Sequence, residues 1–318
     1  MFNQALTSIN IDCLPKTAEG KARNLYEVDS KTLLFVATDR ISAYDAIMKN
    51  GIPEKGILLT LLSAHWFKIL PTYIPGLQTH FISLSLPSVV DSMPNLKANL
   101  LNRAMLVKRL KVFPLEAIVR GYITGSAWKE YQRSGTVHGL LVAEGLQESE
   151  AFPQGPIYTP STKAALGDHD ENISPAQAVE IIGDKYAHRI EALALQIYKV
   201  AQNYAAERGI IIADTKFEFG LDEDTDEVVL VDEVLTPDSS RFWSMKDYKI
   251  GRGQPSYDKQ FLRDWLTRNN LQGLESISMP DEIVNETGKK YKEAFEKLTG
   301  QTFQSKNTSE SGSQMNDR

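Results

Sequence analysis

One segment limits the possible folds of this chain more than any other: IIADTKFEFG, residues 211–220. Side chains alternate along an extended strand, so Asp214, Lys216 and Glu218 share one face while Phe217 and Phe219 share the other. Charge on one face and aromatic rings on the other suit a strand lying between an apolar core and a polar cleft. The acidic stretch LDEDTDE then reads as a turn, and EVVLVDEVL as a second strand. Of the ten acidic residues between Asp214 and Arg241, five fall within Asp222–Glu227, where a solvated turn accounts for them. Glu218 and Asp232 are different, because each lies in an apolar strand where a lone carboxylate is costly to bury. Paired carboxylates facing a cleft suit Mg²⁺, which takes one or two protein oxygens and shares its other positions with phosphate and water. Ion pairs with Lys216 and Arg241 would satisfy them equally well, and spacing alone does not choose.

The rest of the chain supplies mixed elements around this hairpin. LYEVDSKTLLFVATD predicts two short strands about an Asp-Ser turn, and Ile57–Leu70 predicts a helix that stops at Pro71. AMLVKRLKVFPLEAIVRGYI reads as two β-branched runs separated by a bend or edge at Pro114, which has no N–H to donate. Ser174-Pro175 is an N-cap and N1 pair. Apolar residues from Tyr186 to Tyr204 then keep helical spacing up to Gly209, and residues 257–300 look helical again. Residues 304–318 have one Met and no other apolar side chain, and predict a disordered tail. Helices and strands mix without strict βαβ alternation, so the fold class expected is α+β. At 318 residues, two lobes or domains are expected.

Composition excludes several functions. The net charge of −6 and sequence pI near 5.5 give no general grip on nucleic acid or an anionic membrane, so bound phosphate needs a local basic cluster. A single cysteine, Cys13, rules out an internal disulfide and a cysteine-type zinc or iron–sulfur site. Neither a signal peptide nor an apolar run of membrane-spanning length is predicted, which leads to the expectation of a cytoplasmic protein.

Three further clusters carry chemistry. In FPLEAIVRGYITGS, Arg120 ends a strand and Ser126 opens a helix, a combination able to hold phosphate, although such pairs are common without that role. Gly20-Lys21-Ala22-Arg23 offers two cations beside a glycine; it is not a P-loop, and a solvated basic turn is the plainer reading. In STKAALGDHDENIS, Lys163, Asp168, His169 and Asp170 crowd a loop before a helix, without the second histidine of a usual metal set.

Taken in order, these segments resemble the SAICAR synthetase (phosphoribosylaminoimidazole-succinocarboxamide synthase) family. The signatures are FPLEAIVRGYITGS and IIADTKFEFG. They are supported by GKARNLY, ATDRISAYD with IPEKG, TPSTKAALGDHDENIS, VDEVLTPDSSRFW and SYDKQFLRDWL, across residues 20–266. The length and the last motif resemble the longer, fungal-type branch. The resemblance implies a two-lobed, kinase- and ATP-grasp-like α+β fold, with an ATP-binding lobe over residues 1–112 and a substrate and Mg²⁺ lobe over 113–303. It implies a ligase of de novo purine biosynthesis that joins the ribotide CAIR to L-aspartate with ATP and Mg²⁺, through an activated carboxyl phosphate. The expected partners are these small molecules alone, with no nucleic acid or membrane, in a monomer or small homo-oligomer. A kinase-like phosphotransferase acting on a small phosphorylated metabolite is the alternative, but HRD and DFG-type sets are missing.

Residue by residue, the resemblance puts Lys21 and Arg23 over the ATP phosphates and Lys108 and Glu116 beside the adenosine. Glu218 and Asp232 would hold Mg²⁺. Arg120, Ser126 and Arg241 would take the ribotide phosphate, with Lys259 and Arg263 as further substrate cations. Asp214, Lys216, Lys163 and Asp170 form the implied catalytic set. Asp214 would meet polar ring or ribose groups, and Lys163 and Asp170 would border the aspartate. One departure is Asn24, where the family pattern has an acid after the Gly-Lys-x-Arg run.

Overall fold

The computed structural model describes residues 4–163 and 170–304; the expected tail beyond Gln304, and Asp168 and His169, lie outside the described residues. Two sheets organise the chain. The first has five antiparallel strands in the order Lys16–Glu19, Arg23–Asp29, Thr32–Ala37, Ala104–Lys108, Phe81–Ser83. Its predicted hairpin turn forms because the Asp29 carboxylate accepts from the Lys31 backbone N–H at 2.8 Å. The second sheet has seven strands, centred on the long strand Ile210–Asp222. Lys111–Arg120 runs along one side of that central strand from Asp214 to Leu221, while on the other side Ser240–Ser244 pairs with its upstream part and Glu227–Val231 with its downstream part. Gln78–Thr79 joins the same sheet as a parallel edge, so a segment from the first third of the chain is built into the second sheet.

Among the described residues seven α-helices surround the sheets: α1 (Lys55–Tyr73), α2 (Pro94–Leu100), α3 (Gly125–Ser134), α4 (Pro175–Ile182), α5 (Asp184–Ala206), α6 (Gln260–Arg268) and α7 (Asp281–Thr299). Strands and helices combined in this way make an α+β fold. No helix among the described residues is long and apolar enough to cross a membrane.

Local sequence explains most of these elements. Ser174 caps α4 through a complete capping box with Gln177, and Pro175 occupies the first turn. α5 turns Ile190, Leu193, Ile197 and Ala201 inward at helical spacing. They pack in one continuous core with Phe217 and Phe219, which are 0% and 1% exposed. Two expectations need correction. α1 continues to Tyr73 with Pro71 inside it, because a proline in the last turn removes only one backbone donor before the helix ends anyway. Pro114 lies within the strand Lys111–Arg120 rather than between strands. The register against the central strand slips between Glu218 and Gly220, and this bulge accommodates the missing N–H.

Asp39, from ATDRISAYD, is structural. Its buried carboxylate accepts from Arg103 at 3.0 Å and from the Gly56 N–H at 2.9 Å, satisfying a free donor in the first turn of α1.

Candidate active site

The polar face of the central strand holds a row of charges, and strand register dictates their partners. Glu218 lies directly opposite Glu116 on Lys111–Arg120, a like-charge pair that needs a cation between its members. Lys216 supplies it, with Nζ 2.6 Å from Glu116 and 2.8 Å from Glu218. Lys163 donates to the other oxygen of Glu218, and Ser161 donates to Glu116 at 3.1 Å. Burial alone would push the Glu218 carboxyl up, but Lys216 and then Lys163 outweigh it and hold the group down at about 2. The same two carboxylates outweigh burial at Lys216 and keep its ammonium well above the usual lysine range.

Two residues upstream, Asp214 lies opposite Arg120 on one neighbouring strand and Arg241 on the other. One carboxylate oxygen accepts from both guanidiniums, from Arg120 at 2.9 Å. Buried Asp258 also faces Arg241 and Arg263, so three guanidiniums meet two carboxylates here and positive charge remains in excess. Arg120 is fixed by further contacts: Nε donates to Thr159 at 3.0 Å, and Nη2 lies 3.3 Å from Nε2 of His138. Burial, reinforced by the Arg120 charge, lowers His138 to about 4, so its imidazole is neutral and Nε2 can accept. Beside this group opens a cleft of about 200 Å³, lined among others by Arg120, Ser126, Asp214, Lys216, Arg241 and Arg263. Ser126 stands in the first turn of α3, whose free N–H groups suit an anion. Gly125 has φ +59°, and a Cβ there would come within 2.6 Å of the Arg241 guanidinium. Only glycine lets the helix start so close to the arginine.

Downstream the charge balance reverses. Asp232 follows the returning strand with φ 62° and lies 3.4 Å from Arg23, which also binds Glu233 at 2.6 Å. One cation against two carboxylates leaves a negative charge in excess. Burial raises the Asp232 carboxyl, and the Glu218 charge raises it further, while Arg23 opposes. Glu218 and Asp232 thus feel one another, the arrangement that a divalent cation relieves. No cluster of three or more His, Cys, Asp or Glu suited to a metal exists among the described residues. A cation here would draw its other ligands from phosphate and water, as Mg²⁺ does.

A fourth cluster joins three distant segments. Asp238, which also lines the cleft, binds Lys55 at 2.8 Å and Lys259 at 3.1 Å, and accepts from the Tyr291 hydroxyl at 2.6 Å. Lys55 is fully buried. Burial would raise the Asp238 carboxyl, but Lys259 and Lys55 hold it well below the ordinary range.

Comparison with known proteins decides the family. The model of the SAICAR synthetase family matches residues 16–280. The phosphoribosylaminoimidazole-succinocarboxamide synthase of Saccharomyces cerevisiae is 57% identical over 305 residues, covering 93% of this chain and 98% of the relative. That of Cyberlindnera jadinii is 59% identical, covering 94% and 100%. The chain belongs to the SAICAR synthetase family. It is an ATP-dependent ligase of purine biosynthesis that joins CAIR to L-aspartate, and the phosphotransferase alternative is set aside. A solved SAICAR synthase from Saccharomyces cerevisiae, complexed with SAICAR, superposes with a TM-score of 0.86 at 56% identity, covering 94% of this chain and 99% of that one. A SAICAR synthetase in complex with ADP superposes at 0.66 and 27% identity, covering 90% and 99%.

The structure gathers most of the residues singled out from the sequence, though not all in the grouping expected. Arg120, Ser126, Asp214, Lys216, Arg241 and Arg263 share the cleft, and Lys163 and Glu116 converge on the Lys216–Glu218 pair. Lys108 stands exposed at the end of its strand, and among the described residues no hydrogen bond or ion pair links it to Glu116. Lys21 pairs with Asp45 at 2.5 Å and is half-exposed. Asp170 is exposed at the end of its loop. Lys259 reaches the cleft through Asp238 rather than lining it.

Asn24 is resolved by its partner. It is 2% exposed and accepts from Arg40 at 2.9 Å, while Arg40 also donates to the carbonyls of Gly20 and Lys21. An amide oxygen is enough to hold the guanidinium that clamps the Gly20–Arg23 loop. Sequence reasoning missed Lys55, Asp238, Tyr291, Glu233 and His138. Lys55 and Asp238 sit inside quoted motifs, IPEKG and TPDSSR, but they are 183 residues apart and nothing local pairs them.

Proposed function

We propose that the charge order along the second sheet sets the order of the substrates. The ribotide phosphate of CAIR binds at the positive end, to Arg120, Ser126 and Arg241, with Asp214 turned toward its polar groups. ATP binds at the other end, its phosphates under the Gly20–Arg23 loop with Lys21 and Arg23, and its adenosine toward Lys108 and Glu116. Glu218 and Asp232 hold Mg²⁺ between them. When bound, the ion neutralises charge on the transferring phosphoryl group. Lys259 and Arg263 on one side and Lys163 and Asp170 on the other border L-aspartate. The observation that carries this reading is the change of charge balance along the sheet: Asp214 takes two guanidiniums, whereas Asp232, which the Glu218 charge reaches, shares Arg23 with Glu233.

No nucleophilic side chain is needed. A carboxylate oxygen of CAIR attacks the terminal phosphorus of ATP, ADP leaves, and a carboxyl phosphate forms. The aspartate amine then attacks the carbonyl carbon, loses a proton, and phosphate departs as the amide bond closes. The chain's own work is to align three anions and balance their charge, with Lys216 and Lys163 standing where the phosphoryl group passes. Residues 1–112 and 113–303 act as the nucleotide and substrate lobes, and the enzyme works in the cytoplasm as a monomer or small homo-oligomer.

The test is ADP release with each substrate omitted in turn. Release that requires CAIR, aspartate and Mg²⁺ together supports the ligase assignment of the cleft. Release at full rate without CAIR would overturn it.

A further inference from the structure

α7, which begins at Asp281, sends a side chain to the wall of the cleft. Its start is pinned to the segment before α1. Asn50 both donates to the Met279 carbonyl at 2.9 Å and accepts from the Met279 N–H at 2.8 Å, and the Lys49 N–H donates to Ile277. From there the helix buries Ile283, Thr287, Tyr291, Ala294 and Leu298 along one face. Tyr291 is 1% exposed and donates to Oδ1 of Asp238 at 2.6 Å. That leaves Oδ2 to be shared by Lys55 and Lys259. The Lys55 ammonium also lies over the Tyr291 ring, 5.9 Å from its centre. α1, α7 and the residue that caps α6 thus converge on one carboxylate, which lines the cleft beside Ser239, Arg241 and Arg263.

We infer that Tyr291 is a positioning residue for the substrate cleft: by occupying one oxygen of Asp238 it fixes how that carboxylate presents the Lys259 ammonium beside Arg263. This rests on the proposed function. With Arg120 and Arg241 engaged by the ribotide phosphate and Lys216 by Glu116 and Glu218, Arg263 on the wall and Lys259 behind Asp238 are the cations left for the two carboxylates of L-aspartate. A hydroxyl on α7 therefore tunes amino-acid binding without touching the amino acid. Burial, and then the Asp238 charge, keep the Tyr291 phenol protonated well above its ordinary range, so it donates at any working pH.

The experiment compares Tyr291→Phe with Thr287→Val in the full-length chain. Thr287 lies one turn away on the same buried face, and its hydroxyl finds no partner among the described residues. Wild-type ADP release is first shown to need CAIR and aspartate; if it does not, the proposed function fails whatever Tyr291 does. Given that requirement, Tyr291→Phe is expected to raise KM for L-aspartate about fivefold or more, the effect of a lost hydrogen bond to a charged group. Its kcat and its KM for ATP should stay within about twofold, and Thr287→Val should leave all three unchanged. An unchanged aspartate KM in Tyr291→Phe overturns the inference. So does a parallel rise of every KM with a lowered Tm, which would make the hydroxyl merely structural.

Discussion

Asp214 and Glu218 stand on the same face of the same strand, yet they sit among different partners. At Asp214, flanking strands bring an arginine from each side onto one carboxylate, so the buried group ends with cation to spare. At Glu218, two lysines answer two carboxylates, and Asp232, whose ion pair with Arg23 is shared with Glu233, stands next in line. The difference lies in the neighbours delivered by register and not in the strand itself. A four-residue step along one face separates the carboxylate that takes two arginines from the one that takes two lysines, and the proposed function assigns an anion to the first end and a cation to the second. Phosphoryl transfer to a substrate that carries its own phosphate needs both.

Breaking the carboxylate end should have the largest effect. Asp232→Asn is expected to lower kcat by about a hundredfold or more, because under the proposed function the metal would lose a ligand and the charge developing on the phosphoryl group would be less neutralised. Steady-state kinetics at saturating Mg²⁺ checks this, and near-normal turnover would remove Asp232 from the metal set.

Breaking the arginine end should cost binding instead. Arg120→Ala is expected to weaken CAIR by about 1.5–3 kcal/mol, roughly tenfold to a hundredfold, and ATP by less than twofold. Calorimetric titration with each ligand decides, and equal losses for both would assign Arg120 to the scaffold.

Stability sharpens the contrast within the carboxylate end. Glu218 falls from the usual 4.5 to about 2 in the folded chain, so the stability it contributes is present above pH 4.5 and lost as pH drops toward 2. Asp232 is shifted upward, so its contribution is present at low pH and lost as pH rises through the raised value. At pH 7 without ligands, Glu218→Gln should therefore lower Tm and Asp232→Asn should raise it. Scanning calorimetry that gives the two shifts the same sign would contradict the charge assignment.

The smallest effect is expected at the loop. Asn24→Asp keeps an acceptor for Arg40, so Tm should move by no more than about 3 °C. KM for ATP, read from initial rates, should stay within twofold. A large drop in KM would show that the charge, and not the hydrogen bond, is what the position supplies.

The sequence carried the strand pattern, the acidic hairpin turn, the Ser174 cap and the residues of both cleft ends, because each depends on local periodicity or a short motif. It did not carry the pairing of Glu116 with Glu218, which follows from the register of strands some hundred residues apart and a bulge at Pro114. Nor did it carry Asp238 with Lys55 and Tyr291, where three helices and a turn meet only in the folded core. His138 was missed for a related reason. An isolated histidine in a glycine-flanked turn gives no sign that it will be buried against an arginine.

The central claim is that the two ends cooperate to pass the terminal phosphoryl group of ATP onto the carboxylate of CAIR. The most direct measurement supplies CAIR with heavy oxygen in both positions of that carboxylate and follows the label by mass spectrometry. The account predicts that one labelled oxygen per turnover appears in inorganic phosphate and the other in the amide of the product. Unlabelled phosphate, with the label released to water instead, would contradict it.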